Sequence, residues 1–130
     1  MKTLSIDTCV VLRLLVKEPA AQARRASAFL KDAFVQGVRV CVSDLVVAES
    51  YHALIYHYDV PRLKAAEALR SFLESPFIFS TGHALSVLTI YKGTGAGFVD
   101  RLIRMEALEH SSEIKTFDKD FAKLENVSCI

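Results

Sequence analysis

Acidic residues that directly follow apolar runs are the feature of this chain that most constrains its fold and chemistry. Four residues share that setting: Asp7, Glu49, Asp100 and Asp118. An ionised carboxylate beside a buried segment loses hydration, so a basic partner, a hydrogen-bond network or a cation must compensate it. No Lys or Arg immediately precedes any of the four. We therefore expect their partners to come from elsewhere in the chain.

The order of apolar segments predicts an α/β fold. Helical patterns alternate with short β-type runs at residues 2–7, 38–42, 77–79, 114–117 and 127–130. We expect a single domain over residues 1–130, with a mostly parallel central sheet of four to five strands flanked by helices. The carboxyl ends of parallel strands meet at one cleft, and acids that follow strands can converge there.

The composition describes a compact globular domain and narrows the classes of function. Of 130 residues, 52% are hydrophobic and 24% are charged, as in proteins with one apolar core. No run reaches the roughly 18 apolar residues of a membrane helix, and no signal-peptide pattern is present, so a cytoplasmic protein is expected. The net charge of +1 argues against an extended basic surface, although a basic rim around an acidic centre would still fit.

Several other chemistries are poorly supported. Cys9, Cys41 and Cys129 form no C-x-x-C pair, which excludes a zinc ribbon or a thioredoxin-like motif. We expect three reduced thiols in the core. The chain also has no G-x-S-x-G elbow for a serine nucleophile.

Carboxylates gathered in one cleft favour a hard divalent cation, Mg²⁺ or Mn²⁺. A cation held by two or three carboxylates keeps waters in its other positions and can activate one of them to attack a phosphodiester. Asp100 also falls near a predicted helix start, whose dipole favours an anionic ligand. Each acid taken alone could instead be a turn former or a helix cap.

The ordered set of motifs resembles that of PIN-domain ribonucleases, most closely the VapC-type toxins of toxin–antitoxin pairs. The motifs are Ile6-Asp7-Thr8, Ser43 with Glu49, Val99-Asp100-Arg101 and Thr116-Phe117-Asp118. The resemblance implies that Asp7, Glu49, Asp100 and Asp118 bind Mg²⁺ or Mn²⁺ and support endonucleolytic cleavage of RNA. It also gives Thr8 and Thr116 supporting roles, in which they orient waters or carboxylates.

The resemblance further implies RNA as substrate, an antitoxin protein as partner and a homodimer. Basic residues near the acids could hold RNA phosphates through salt-sensitive contacts: Arg13, Lys17, Arg101 and Lys119. Each of these could equally be solvated surface charge. Apolar helical faces within residues 45–54 and 63–73 could form the dimer interface or belong to the core.

Two positions depart from the family pattern. Cys9 stands where many members have Asn, and Gly97 stands where many have a second Asp. A weaker metal site or altered phosphate contacts would follow. These departures support an alternative, a degenerate PIN-like interaction module without catalytic activity. A haloacid-dehalogenase-like phosphatase with Asp7 as nucleophile is disfavoured, because such enzymes need a second Asp at the position of Cys9.

Overall fold

The structure, a computed structural model, describes residues 2–130; Met1, the first residue of the predicted domain, lies outside them. The strands are β1 (Thr3–Ser5), β2 (Arg39–Val42), β3 (Ile78–Ser80), β4 (Ile114–Thr116) and β5 (Val127–Cys129). The α-helices are α1 (Thr8–Val16), α2 (Ala20–Val35), α3 (Asp44–Tyr56), α4 (Arg62–Leu73), α5 (Ala84–Ile90) and α6 (Phe98–Ala107), and a 3₁₀ helix follows at Phe121–Lys123. Over this described part of the chain, no helix is both long enough and apolar enough to cross a membrane.

The strands pair in parallel, which confirms the predicted α/β class with a mostly parallel sheet. Strands β1, β2 and β3 form one sheet with β2 at its centre, and β4 pairs with β5 in a second sheet. The five predicted strands are present, but they divide three and two instead of joining in one central sheet. Lateral pairing is set by how helices pack between strands, and the apolar pattern of each strand does not encode it.

The interior is built from the central strand and the inner faces of the helices. Val40 and Val42 of β2 are buried, as is Leu69 of α4. Phe98, the first residue of α6, is fully buried, and its ring contacts that of Tyr51 in α3 edge-on at 5.0 Å between centroids. This contact fixes where α6 begins.

Asp44 connects two helices that are distant in sequence. As the first residue of α3 it suits the positive end of that helix, and its carboxylate also accepts the N–H groups of His83 (2.8 Å) and Ala84 (2.9 Å). It therefore satisfies backbone donors at the start of α5, which would otherwise lack partners. A Cβ at Gly82 would overlap this carboxylate, so the turn before α5 has room only for glycine.

Replacing Asp44 by Ala is expected to lower the free energy of unfolding by about 1–3 kcal/mol, because two backbone donors lose a charged acceptor. Asp44→Asn, which keeps one acceptor oxygen, should lose less. Urea denaturation would measure both changes. Glu67→Ala is the control, since Glu67 is exposed and makes only a surface pair with Lys64. An Asp44→Ala loss no larger than that of the control would contradict the structural role.

Candidate active site

The first two acids come together through the packing of α1 against α3. Asp7 follows β1 and caps α1, since its carboxylate accepts the N–H of Val10 at 3.2 Å. The adjacent Thr8 hydroxyl donates to the carboxylate of Glu49, which lies exposed on α3. Thr8 therefore contacts Glu49 directly, and its role in orienting waters or carboxylates stays a prediction.

The second two acids, Asp100 and Asp118, also form a pair. Asp100 lies partly buried in the first turn of α6, and Asp118 lies exposed just after β4. Burial, and then the negative charge of Asp118, raise the pKa of Asp100 above its ordinary value. Two carboxylates close enough to repel each other are the arrangement that a shared cation relieves.

The turn that carries Asp118 is held by hydrogen bonds on both sides. Thr116 Oγ1 accepts the N–H of Asp118 at 2.9 Å. Asp118 Oδ1 in turn accepts the N–H groups of Asp120 (2.9 Å) and Phe121 (3.1 Å), and so begins the 3₁₀ helix. The neighbouring Asp120 pairs with Lys123 at 3.2 Å. Asp118 is therefore a capping residue. Its second carboxylate oxygen accepts no hydrogen bond from another residue within 2–130.

The four acids thus form two pairs, and one member of each, Glu49 on α3 and Asp100 on α6, lies on a helix that takes part in the Tyr51–Phe98 ring contact. Among residues 2–130, no salt bridge involves any of the four, and no three His, Cys, Asp or Glu side chains lie close enough together to hold a metal ion. The donor set still suits Mg²⁺, because this cation is commonly bound through one or two carboxylates and keeps several waters. Asp100 and Asp118 offer two such carboxylates.

Gly97 occupies the N-cap position of α6 and provides no side-chain hydrogen bond to the helix. Its backbone is extended, with φ −69° and ψ 169°, and a Cβ placed there would contact nothing within 4 Å. An aspartate would fit at this position. The local packing therefore does not require glycine in place of the second Asp of the family pattern.

Arg101 is engaged with the segment that precedes α6. Its Nε donates to the carbonyl of Ala96 at 2.8 Å and its Nη2 to the carbonyl of Thr94 at 3.4 Å. The guanidinium also lies over the ring of Tyr91, 5.9 Å from its centroid. Arg101 therefore braces this glycine-rich segment, a role that was not predicted and that has no signal in local spacing.

The other basic residues of the predicted RNA rim lie in different settings. Arg13 donates through Nε to Gln22 Oε1 at 2.6 Å, which links α1 to α2. Lys17 ends α1 in the left-handed conformation at φ 67°. Lys119 is exposed beside Asp118 and forms no ion pair within residues 2–130. RNA binding by Arg13, Lys17, Arg101 and Lys119 stays a prediction.

Phe117 ends the apolar run predicted at residues 114–117, but its side chain is 82% exposed. Strand β4 ends at Thr116, and Phe117 lies in the bend that follows it. The sequence signal for an outward position is Lys115, because a charged residue two positions earlier marks the solvent side of the strand. The predicted placement of three thiols in the core was also wrong, since Cys9 and Cys129 are exposed.

Comparison with known protein families gives a match over most of the chain. The family model of the PIN domain matches residues 4–127, a span that contains all four acids. No curated protein sequence matches the chain significantly. PIN domains are generally nucleases and typically use divalent metal ions. From a match over nearly its whole length, the chain belongs to the PIN domain family.

Proposed function

We propose that this protein is a metal-dependent endoribonuclease that hydrolyses phosphodiester bonds in single-stranded or structured RNA, with Mg²⁺ or Mn²⁺ as cofactor. The observation that carries the proposal is the placement of Asp100, which lies partly buried in the first turn of α6 and near Asp118, so that burial and then the neighbouring charge raise its pKa. A family whose members are generally nucleases supports the same reaction class.

Some residues of the proposed site bind the cation, and others orient the attacking water or a neighbouring carboxylate. Asp100 and Asp118 hold the cation, and Asp7 and Glu49 bind a second cation or orient the attacking water. A divalent cation bound there polarises the phosphate and lowers the pKa of a bound water. Thr8 fixes the Glu49 carboxylate through its hydrogen bond. The first turn of α6, which carries Asp100, also presents the positive end of a helix dipole to an anionic phosphate.

The biological role that we propose is the toxin of a toxin–antitoxin pair, acting in the cytoplasm and neutralised by an antitoxin protein. The order of acidic motifs supports it. We also propose a homodimer. Of the helical faces considered for its interface, Leu54 and Leu73 belong to the core, whereas Leu45 of α3 is 80% exposed and Leu63 of α4 is half-exposed. The exposed leucines support a contact with a second copy of the chain.

A second candidate function is a PIN-like interaction module that binds a partner without cleaving RNA. Cys9 and Gly97 favour it, because each replaces a polar residue of the family pattern. The acids at positions 7, 49, 100 and 118 weigh against it, since an interaction surface has no need of paired carboxylates. Cleavage and metal binding separate the two functions.

Asp118→Asn is expected to reduce RNA cleavage by at least about 100-fold, because it removes a direct metal ligand, a larger change than loss of an outer-shell partner. The assay is cleavage of end-labelled single-stranded RNA by protein free of any partner, with Mg²⁺, Mn²⁺ or EDTA. Asp120→Asn is the matched control. That residue lies two positions away, pairs with Lys123, and should leave cleavage unchanged.

Cleavage that persists in EDTA or in Asp118→Asn would contradict the metal mechanism. If the wild-type protein, correctly folded, neither cuts a panel of RNAs that includes tRNA nor binds Mn²⁺, the interaction module becomes the better assignment.

Asp100→Asn is expected to stabilise the protein in EDTA at neutral pH, although it should abolish cleavage. The pKa of Asp100 is raised in the folded state, so folding is favoured by the protonated carboxyl and is weakened as pH rises through that pKa. The advantage of Asp100→Asn should therefore vanish near pH ~4, around the ordinary carboxyl pKa. Thermal unfolding of both proteins across this range measures it, and Mn²⁺ should selectively stabilise the wild type.

The control for this comparison is Glu67→Gln, which removes an exposed acid of α4 that pairs with Lys64. Its stability relative to wild type should not change with pH in the same way. An Asp100→Asn protein that is less stable than wild type at both ends of the pH range would show that the carboxylate does not strain the fold.

Gly97→Asp is expected to tighten Mn²⁺ binding, because a side chain fits at this N-cap and adds a carboxylate near Asp100. Gly97→Asn is the matched control, since it supplies the same helix cap, worth about 1 kcal/mol or less, without the charge. The measurement is the rise in melting temperature on adding Mn²⁺, which should be larger for Asp than for Asn. Equal responses would place position 97 outside the metal site.

A further inference from the structure

Phe117 is the most exposed aromatic side chain among residues 2–130, and it lies directly beside an acid of the candidate site. Its exposed fraction of 82% compares with 58% for Tyr56 and 52% for Phe34. Single exposed apolar residues are common on protein surfaces, so exposure alone decides nothing. What distinguishes Phe117 is the rigidity and the charge of its surroundings.

The backbone on both sides of Phe117 is fixed. On one side, Thr116 ends β4, pairs with Cys129 of β5, and accepts the N–H of Ile130 at 3.0 Å. On the other side, the Asp118 N–H is bound by the Thr116 hydroxyl and the Asp118 carboxylate begins the 3₁₀ helix. The ring is thus presented on an ordered turn, which lowers the entropy lost when a ligand packs against it.

The charges around Phe117 suit a nucleic acid strand. Asp118, which belongs to the proposed cation-binding pair, follows Phe117 directly in the chain, so the ring is attached one residue away from that pair. Lys119 is exposed on the same turn and is unpaired within the described residues. An aromatic face stacks on any nucleobase, and a nearby Lys can contact the adjoining phosphate.

We propose that Phe117 is a stacking platform for one base of a single-stranded RNA, adjoining the phosphodiester that is cut. This inference rests on the proposed nuclease function and adds to it a specific contact with an unpaired base. A base within a duplex is already stacked on its neighbours and must be splayed out before it can lie on the ring. Stacking contacts the face of a base and not its hydrogen-bonding edge, so the contact can form with any of the four bases.

The absence of tryptophan from the chain provides a direct probe. Phe117→Trp introduces the only indole, and its emission should be quenched when a base stacks on it. The titration uses mixed-sequence single-stranded RNA and a matched RNA duplex, with Mg²⁺, in an Asp7→Asn background that prevents cleavage and leaves the pair beside Phe117 intact. Quenching by single-stranded RNA, with much weaker quenching by duplex, is the expected result.

Phe34→Trp in the same background is the matched control. Phe34 is also an exposed phenylalanine, but its ring packs on Phe77 and lies beside Gly37 and Pro76, before strands β2 and β3. Asp7 follows β1 at the opposite end of this sheet, and Asp118 follows β4, so the emission of the Phe34→Trp variant should not respond to RNA.

The kinetic test uses Phe117→Ala and Phe117→Tyr in the otherwise wild-type chain. Loss of one stacked base should raise KM roughly 10-fold, within the range measured for such contacts, and change kcat little. Phe117→Tyr should retain the wild-type KM. Because the side chain is exposed, both variants should melt at the wild-type temperature, which separates binding from folding.

Each outcome bears on the platform separately from the nuclease. If the wild type cleaves RNA while Phe117→Ala keeps its KM and the indole is not quenched, the platform is wrong and the nuclease stands. If the indole is quenched by single-stranded RNA but the wild type cleaves nothing, the base-stacking contact stands, whereas the nuclease and the position of the contact beside a cut phosphodiester are wrong. Equal quenching by duplex would overturn the platform. A dimer that forms in the wild type but not in Phe117→Ala would also overturn it, because a protein contact would then cover the ring.

Discussion

The burial of Phe98 is the constraint on which the candidate site depends. Its ring packs edge-on against Tyr51 of α3 and lies 6.5 Å from the ring of Tyr91, so the start of α6 cannot shift without opening the core. Asp100 follows two residues later and is held partly out of water by the same packing. The hydrophobic free energy of the core therefore supports a carboxylate in a position that is unfavourable for its charge.

Arg101 contributes to this arrangement because it leaves the Asp100 carboxylate unneutralised. It is the nearest basic residue in sequence to Asp100, yet its guanidinium donates to the carbonyls of Ala96 and Thr94. These hydrogen bonds therefore order the segment before α6, and the Asp100 carboxylate keeps an unpaired negative charge. A site that binds a cation needs this separation, because an internal salt bridge would compete with the metal for the same oxygens.

The sequence predicts the local features of this fold better than the long-range ones. Period-two and helical patterns indicate the five strands and their alternation with helices, and Ser43 caps α3 as its residue type predicts. The order of acids indicates the family to which the chain belongs. The division of the strands into two sheets, the contact between Thr8 and Glu49, and the brace made by Arg101 depend on packing between distant segments. No local pattern specifies such contacts, and the exposure of Phe117 was missed because an apolar residue type was taken for a buried one.

The turn between β3 and α5 carries a consequence for how this chain can vary. The Asp44 carboxylate occupies the space that a side chain at Gly82 would need while it binds the amides of His83 and Ala84. A larger residue at position 82 is compatible with the fold only if position 44 carries a smaller side chain than Asp, and the start of α5 then needs another acceptor for its amides. Positions 44 and 82 are therefore expected to change together in related sequences, as a covarying pair joined by a backbone contact.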